Sequence, residues 1–69
     1  MIGVIGAGAW GTALANAMAA QEDVLIWARE PEVATAINDT HANPLFLPDI
    51  ALSPRIRATT SLADLAGID

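Results

Sequence analysis

Apolar and polar positions along this chain fall into short alternating blocks. Residues 1–5 (MIGVI) form an apolar run that ends at glycines, the pattern of a buried strand. Gly3 counts slightly against it, because glycine contributes no packing to a strand. Residues 11–21 (GTALANAMAAQ) have helix-forming composition, with Leu14, Ala17, Met18 and Gln21, and equally Gly11, Leu14, Ala15 and Met18, at helical spacing. Such a face of mostly small residues lets a helix lie close against a sheet. Asp23 leads into Val24, Leu25, Ile26 and Trp27, a second strand that is β-branched and aromatic. Pro31 suits the first turn of a second helix, in which Val33 and Ile37 share a face and which Asn38 and Asp39 end. Residues 39–54 carry Pro44, Pro48 and Pro54 without a sustained period and read as a long loop, a feature usually functional or disordered. Residues 55–59 suit a third short strand. Ser61 and Asp64, in capping-box spacing, then open another helix. Strands alternating with helices imply parallel pairing through right-handed crossovers. The expected architecture is α/β, half of a doubly wound parallel sheet.

Composition changes the picture in two ways. With 69 residues, 54% of them hydrophobic, the chain is one small domain or a piece of one, too apolar for a disordered tail. A chain of this size buries only about 60% of its unfolded surface, and without Cys it has no disulfide or thiolate metal site to compensate. The charge is −5, from eight acids against three arginines and no lysine. That balance excludes a nucleic-acid or anionic-membrane surface, which needs clustered cations. No apolar run approaches the roughly 20 residues of a membrane span, and the N-terminus lacks the basic start of a signal peptide. These features together favour the cytoplasm.

The chemistry concentrates at Gly6-Ala7-Gly8-Ala9-Trp10-Gly11, a G-x-G-x-x-G run between the first strand and the first helix. Gly6 permits a tight turn, Gly8 removes the Cβ that would block a pyrophosphate, and Gly11 lets helix and strand approach closely. The helix N-terminus offers unpaired N–H groups and partial positive charge to phosphates. Between Gly6 and Gln21 there is no acid to repel that anion. A phosphate-binding loop of the Gly-Lys-Ser/Thr type is excluded, because the chain has no lysine.

A dinucleotide site places a polar group near the end of the second strand to read the ribose. Here that position holds Arg29, which suits a 2′-phosphate or stacks on adenine, followed by Glu30, which suits a 2′-OH. The pair argues for NADP tolerance or preference over strict NAD. Trp10 places an indole and its N–H donor inside the glycine run. Trp27 reads as core, and Phe46 either covers the adenosine end or packs its loop down. His41 stands alone without a carboxylate partner and has no catalytic role. Asp49, Asp64 and Asp69 read as surface or capping residues, and no spacing of His and acids forms a metal site.

With these residues in place, the chain resembles the N-terminus of bacterial NAD(P)-dependent glycerol-3-phosphate dehydrogenases. The resemblance rests on GAGAWGTALA at 6–15, IWAREP at 26–31 and NPLFLP at 43–48, with TTSL at 59–62 running into the next helix. It implies that residues 1–69 are a truncated N-terminal NAD(P)-binding Rossmann domain, with the helical substrate domain and its catalytic lysines absent from the chain. It further implies an oxidoreductase that uses NAD(P)H to reduce dihydroxyacetone phosphate to sn-glycerol 3-phosphate for phospholipid biosynthesis, with a homodimer left open. The cofactor contacts carried over are Ala9, Trp10 and Arg29, with Phe46 beside the glycines Gly6, Gly8 and Gly11. Ala9 stands where the family commonly has Ser and Phe46 where it often has Tyr, so two polar contacts are lost.

Two other readings stay open at the level of sequence. One is a different NAD(P)-dependent dehydrogenase on the same half-fold, against which Trp10 and the NPLFLP loop speak. The other is a stand-alone nucleotide-binding module. Lacking a proton donor for a substrate carbonyl, the chain alone is expected to be inactive. A first strand without its outer neighbour is also expected to leave an apolar edge and to drive self-association or partial disorder.

Overall fold

The computed structural model describes residues 1–68. Asp69, expected at the surface, lies outside the described residues. The elements are β1 (Ile2–Ile5), α1 (Ala9–Met18), β2 (Val24–Trp27), α2 (Pro31–Thr40) and β3 (Ile56–Thr59), followed by a 3₁₀ turn at Leu62–Leu65. The three strands form one parallel sheet in the order β1-β2-β3. Ile2 pairs with Val24 and Val24 with Ile56, so the strands start level and also finish level, at Ile5, Trp27 and Thr59. The α/β architecture and the parallel pairing expected from the alternating blocks are both present.

Crossovers of one hand lay α1 and α2 on the same face of the sheet. Val24, Ile26 and Ala28 of the central strand and Ile56 of β3 are buried there against Ala15 and Ala19 from α1 and Val33, Ala34 and Ile37 from α2. The opposite face carries Gly3 and Ile5, and Leu65 and Ile68 approach a Cβ built on Gly3 to 3.1 and 3.5 Å. A Cβ at position 3 would press on the Leu65 methyl by a few tenths of an ångström, so the glycine lets the C-terminal segment lie close on the strand.

Several boundaries differ from expectation, each for a visible reason. Helix α1 begins at Ala9, not Gly11, and stops at Met18, where Ala19 caps it and Gln21 and Glu22 donate back to the Met18 carbonyl. Its buried face is Thr12, Ala15 and Ala19, while Leu14 is exposed, because only small side chains fit where the helix touches the sheet. Helix α2 runs through Asn38 and Asp39 to Thr40 and ends at His41 in the left-handed region (φ 53°). Asn38 does not end it because its carboxamide bonds across to β3 and leaves the helix backbone alone. Strand β3 starts at Ile56, one residue later than expected. The Ser61 side chain caps nothing, so the expected capping box is absent. Asp64 instead accepts from the Thr59 hydroxyl, and the last helix is reduced to the 3₁₀ turn. Trp27 is half-buried and outside the core, its Nε1 donating to the Thr60 carbonyl at 3.0 Å.

The segment after α2 is ordered by turns and anchors. Asn43 bridges to Leu47, Leu52 is buried, and the Asn16 side chain accepts from the Ser53 N–H at 2.9 Å. Among the described residues, no helix is long and apolar enough to cross a membrane.

Candidate functional site

The site lies at the carboxyl ends of the strands, where loops in open α/β sheets meet ligands. Gly6 leaves β1 with its N–H donated to the Trp27 carbonyl at 3.0 Å and φ at +105°, a conformation that side chains resist. Thr12 donates its N–H to the Gly8 carbonyl, which makes Gly8 the N-cap of α1. No side chain caps this helix start and no acid lies in its first turn. The N–H groups of Gly8, Ala9, Trp10 and Gly11 consequently have no partner among the described residues, as the first amides of an uncapped helix must.

The glycines divide the work as their spacing implies. A Cβ on Gly11 would lie 2.0 Å from the Gly6 carbonyl oxygen, so the first turn of α1 sits directly on the glycine loop. A Cβ on Gly8 meets nothing within 4 Å and would project into open space. The loop is a cradle kept clear of side chain, with the unpartnered amides of Gly8 to Gly11 along it.

Around this cradle, Ala9 is exposed and Trp10 is 89% exposed, the indole standing free of the core. A shallow hollow of about 250 Å³ is lined by Ala9, Trp10 and Ala13. A larger one of about 390 Å³ lies away from the glycines, along α2 and β3. Arg29 is exposed just past the end of β2, on the same rim as Gly6, and has no ion pair among the described residues. Glu30 is half-buried at the N-cap of α2. Phe46 is 37% exposed, and its loop is tied to the glycine run through Asn43. His41 caps α2 and Asp49 is exposed in a left-handed turn (φ 64°). The described residues hold no group of His, Cys, Asp and Glu able to take a metal ion.

Two residues that the sequence reading gave no role sit under the cradle. Thr12 and Asn43 are its buried polar side chains. The Asn43 Nδ2 donates to the Ala7 carbonyl and to Thr12 Oγ1, both at 2.8 Å, and Thr12 Oγ1 donates to the same Ala7 carbonyl at 3.2 Å. The Asn43 Oδ1 accepts the Phe46 N–H at 3.3 Å. The only signals in the sequence were a hydroxyl next to the third glycine and an Asn-Pro turn start.

Known proteins place this arrangement. The family profile described as NAD-dependent glycerol-3-phosphate dehydrogenase N-terminus matches residues 1–67. The chain belongs to this family. Among curated members of the glycerol-3-phosphate dehydrogenases, it is 62% identical to the glycerol-3-phosphate dehydrogenase [NAD(P)+] of Caulobacter vibrioides over 69 residues, 99% of this chain and 21% of the relative. It is 58% identical to that of Maricaulis maris over the same length and shares. Among solved structures, the glycerol-3-phosphate dehydrogenase of Saccharomyces cerevisiae superposes with a TM-score of 0.85 at 31% identity, covering 93% of this chain and 22% of that one. The enzyme from Coxiella burnetii superposes at 0.76 and 33% identity, covering 96% and 21%. The chain thus spans about a fifth of the length of its glycerol-3-phosphate dehydrogenase relatives, with the Rossmann-type half-fold expected from its alternating strands and helices.

Proposed function

We propose that this chain is the N-terminal, dinucleotide-binding portion of an NAD(P)-dependent oxidoreductase that interconverts dihydroxyacetone phosphate and sn-glycerol 3-phosphate in the cytoplasm, supplying glycerophospholipid synthesis. The observation that carries the reading is the row of four unpartnered amides at Gly8, Ala9, Trp10 and Gly11, uncapped and free of acids, over a glycine whose missing Cβ leaves room for a ligand. Membership of the family and the names of its relatives supply the substrate.

In this reading the amides and the dipole of α1 hold the pyrophosphate, Trp10 walls the exposed side of it, and Arg29 faces the ribose of the adenosine half. Ala9 contributes only its N–H. Phe46 covers the adenosine through its ring. When bound, the nicotinamide supplies or accepts the hydride. The chain's own residues orient and hold it, while the group that protonates the substrate carbonyl belongs to a helical domain beyond these residues.

Arg29 provides the test. Its exposed guanidinium is free to fork onto a 2′-phosphate, and Glu30 beside it is the group to meet a 2′-OH. In the intact protein carrying this segment, Arg29→Ala should raise the Kd for NADPH about 10-fold or more and leave NADH within about 3-fold. Equal affinities for NADPH before and after the change would remove Arg29 from the site. Failure of the unaltered protein to bind either cofactor would remove the function.

A further inference from the structure

Asn43 lies beneath the glycine loop, and a role for it there rests on the dinucleotide reading given above. Asn43 is fully buried, the one buried polar side chain of a loop that otherwise sends Leu47 and Leu52 inward among the described residues. A buried carboxamide is costly unless its donors and acceptor are used. Here both Nδ2 hydrogens are used, on the Ala7 carbonyl and on Thr12 Oγ1, and the Oδ1 takes the Phe46 N–H. The reverse amide orientation would set oxygen against the Ala7 carbonyl and a donor against the Phe46 N–H, so only one orientation satisfies the site. Because Thr12 Oγ1 accepts from Asn43, its own hydrogen goes to Ala7. The three groups close a ring in which every hydrogen has a fixed direction.

That ring acts on the peptide between Ala7 and Gly8. In a planar trans peptide the carbonyl and the following N–H point in opposite directions. Two donors draw the Ala7 carbonyl inward, which turns the Gly8 N–H outward to the open side of the cradle, where it has no protein partner. The same carboxamide holds the start of the segment carrying Phe46. We propose that Asn43, acting with Thr12, is a positioning residue of the dinucleotide site: it aims the Gly8 amide at the pyrophosphate and ties the loop bearing Phe46 to the glycine run. It touches no ligand itself and works through Ala7.

The test uses the intact protein that carries this segment, with NADH as the probe. Asn43→Asp keeps the acceptor for Phe46 and removes the donors to Ala7. Thr12→Val removes the hydroxyl at constant shape, and Thr12→Ser returns it. Asn43→Asp should raise the Kd and KM for NADH about 10-fold or more, and Thr12→Val should raise them severalfold, while kcat at saturating NADH and the KM for dihydroxyacetone phosphate stay unchanged. Thr12→Ser should restore the affinity. Should Asn43→Asp fail to fold, the Thr12 pair decides alone. A Thr12→Val protein with unaltered NADH affinity, or a Thr12→Ser protein as weak as Thr12→Val, overturns the proposal. Absence of NADH binding by the unaltered protein instead overturns the dinucleotide reading beneath it.

Discussion

Gly8 and Gly11, three residues apart, meet opposite surroundings, and substitution should separate them. A Cβ at position 11 collides with the Gly6 carbonyl oxygen at 2.0 Å, which is backbone and has nowhere to go. Gly11→Ala should therefore cost about 1–3 kcal/mol in urea denaturation of the intact protein, as overpacked sites do. Position 8 meets nothing, so Gly8→Ala should leave the denaturation midpoint nearly unchanged while weakening NADH binding markedly. A Gly8→Ala protein that binds NADH normally would mean that the cleared space serves no ligand. The shape of the glycine loop was legible in the sequence because it depends on local spacing, and Trp10 and Arg29 are exposed beside it. Thr12 and Asn43 were not legible, because their partnership spans 31 residues and exists only once the loop folds back on α1.

At the scale of elements, apolar runs announced β1 and β2, and Pro31 announced the start of α2 to the residue. Ends that depend on partners elsewhere in the chain were hidden. Helix α1 has Gly8 as its cap, with no side chain to signal it, and α2 passes through Asn38 because that carboxamide is engaged elsewhere. The carbonyls of Arg55 and Thr59 face β2, so by the alternation of a strand the backbone groups of Ala58 face outward. Asn38 takes both of them, donating to the Ala58 carbonyl at 2.9 Å and accepting its N–H at 2.8 Å. Asn38→Leu should destabilise the protein by about 1–2 kcal/mol, since two exposed hydrogen bonds revert to water. Thermal melts of this variant beside the unaltered protein measure it, and an unchanged Tm would show that water replaces the carboxamide without loss.

The two borders of the sheet differ in kind. Ile2 and Gly6 donate to the Asp23 and Trp27 carbonyls at the two ends of β2, so the backbone groups of Gly3 and Ile5 point outward and have no partner among the described residues. Ile5 is 72% exposed and lines a hollow of about 240 Å³ with Gly3, Leu65 and Ile68. An apolar open border of this sort pairs with other chains. The isolated 69-residue chain should sediment with a mass that rises with concentration, and Ile5→Lys should shift it toward the monomer. A chain that stays monomeric at high concentration would show that Leu65 and Ile68 shield the border well enough. On the β3 border Asn38 already takes the outward groups of Ala58, while the β1 border is open, which favours lengthening of the sheet at β1. A further strand pairing at that open border would double back across the existing three to settle beside β1. Where the winding reverses in that way, the connections on either side part instead of crossing. The gap between them would open at the carboxyl end of β1, beside the glycine loop, so the open border of the sheet and the mouth of the loop are one feature.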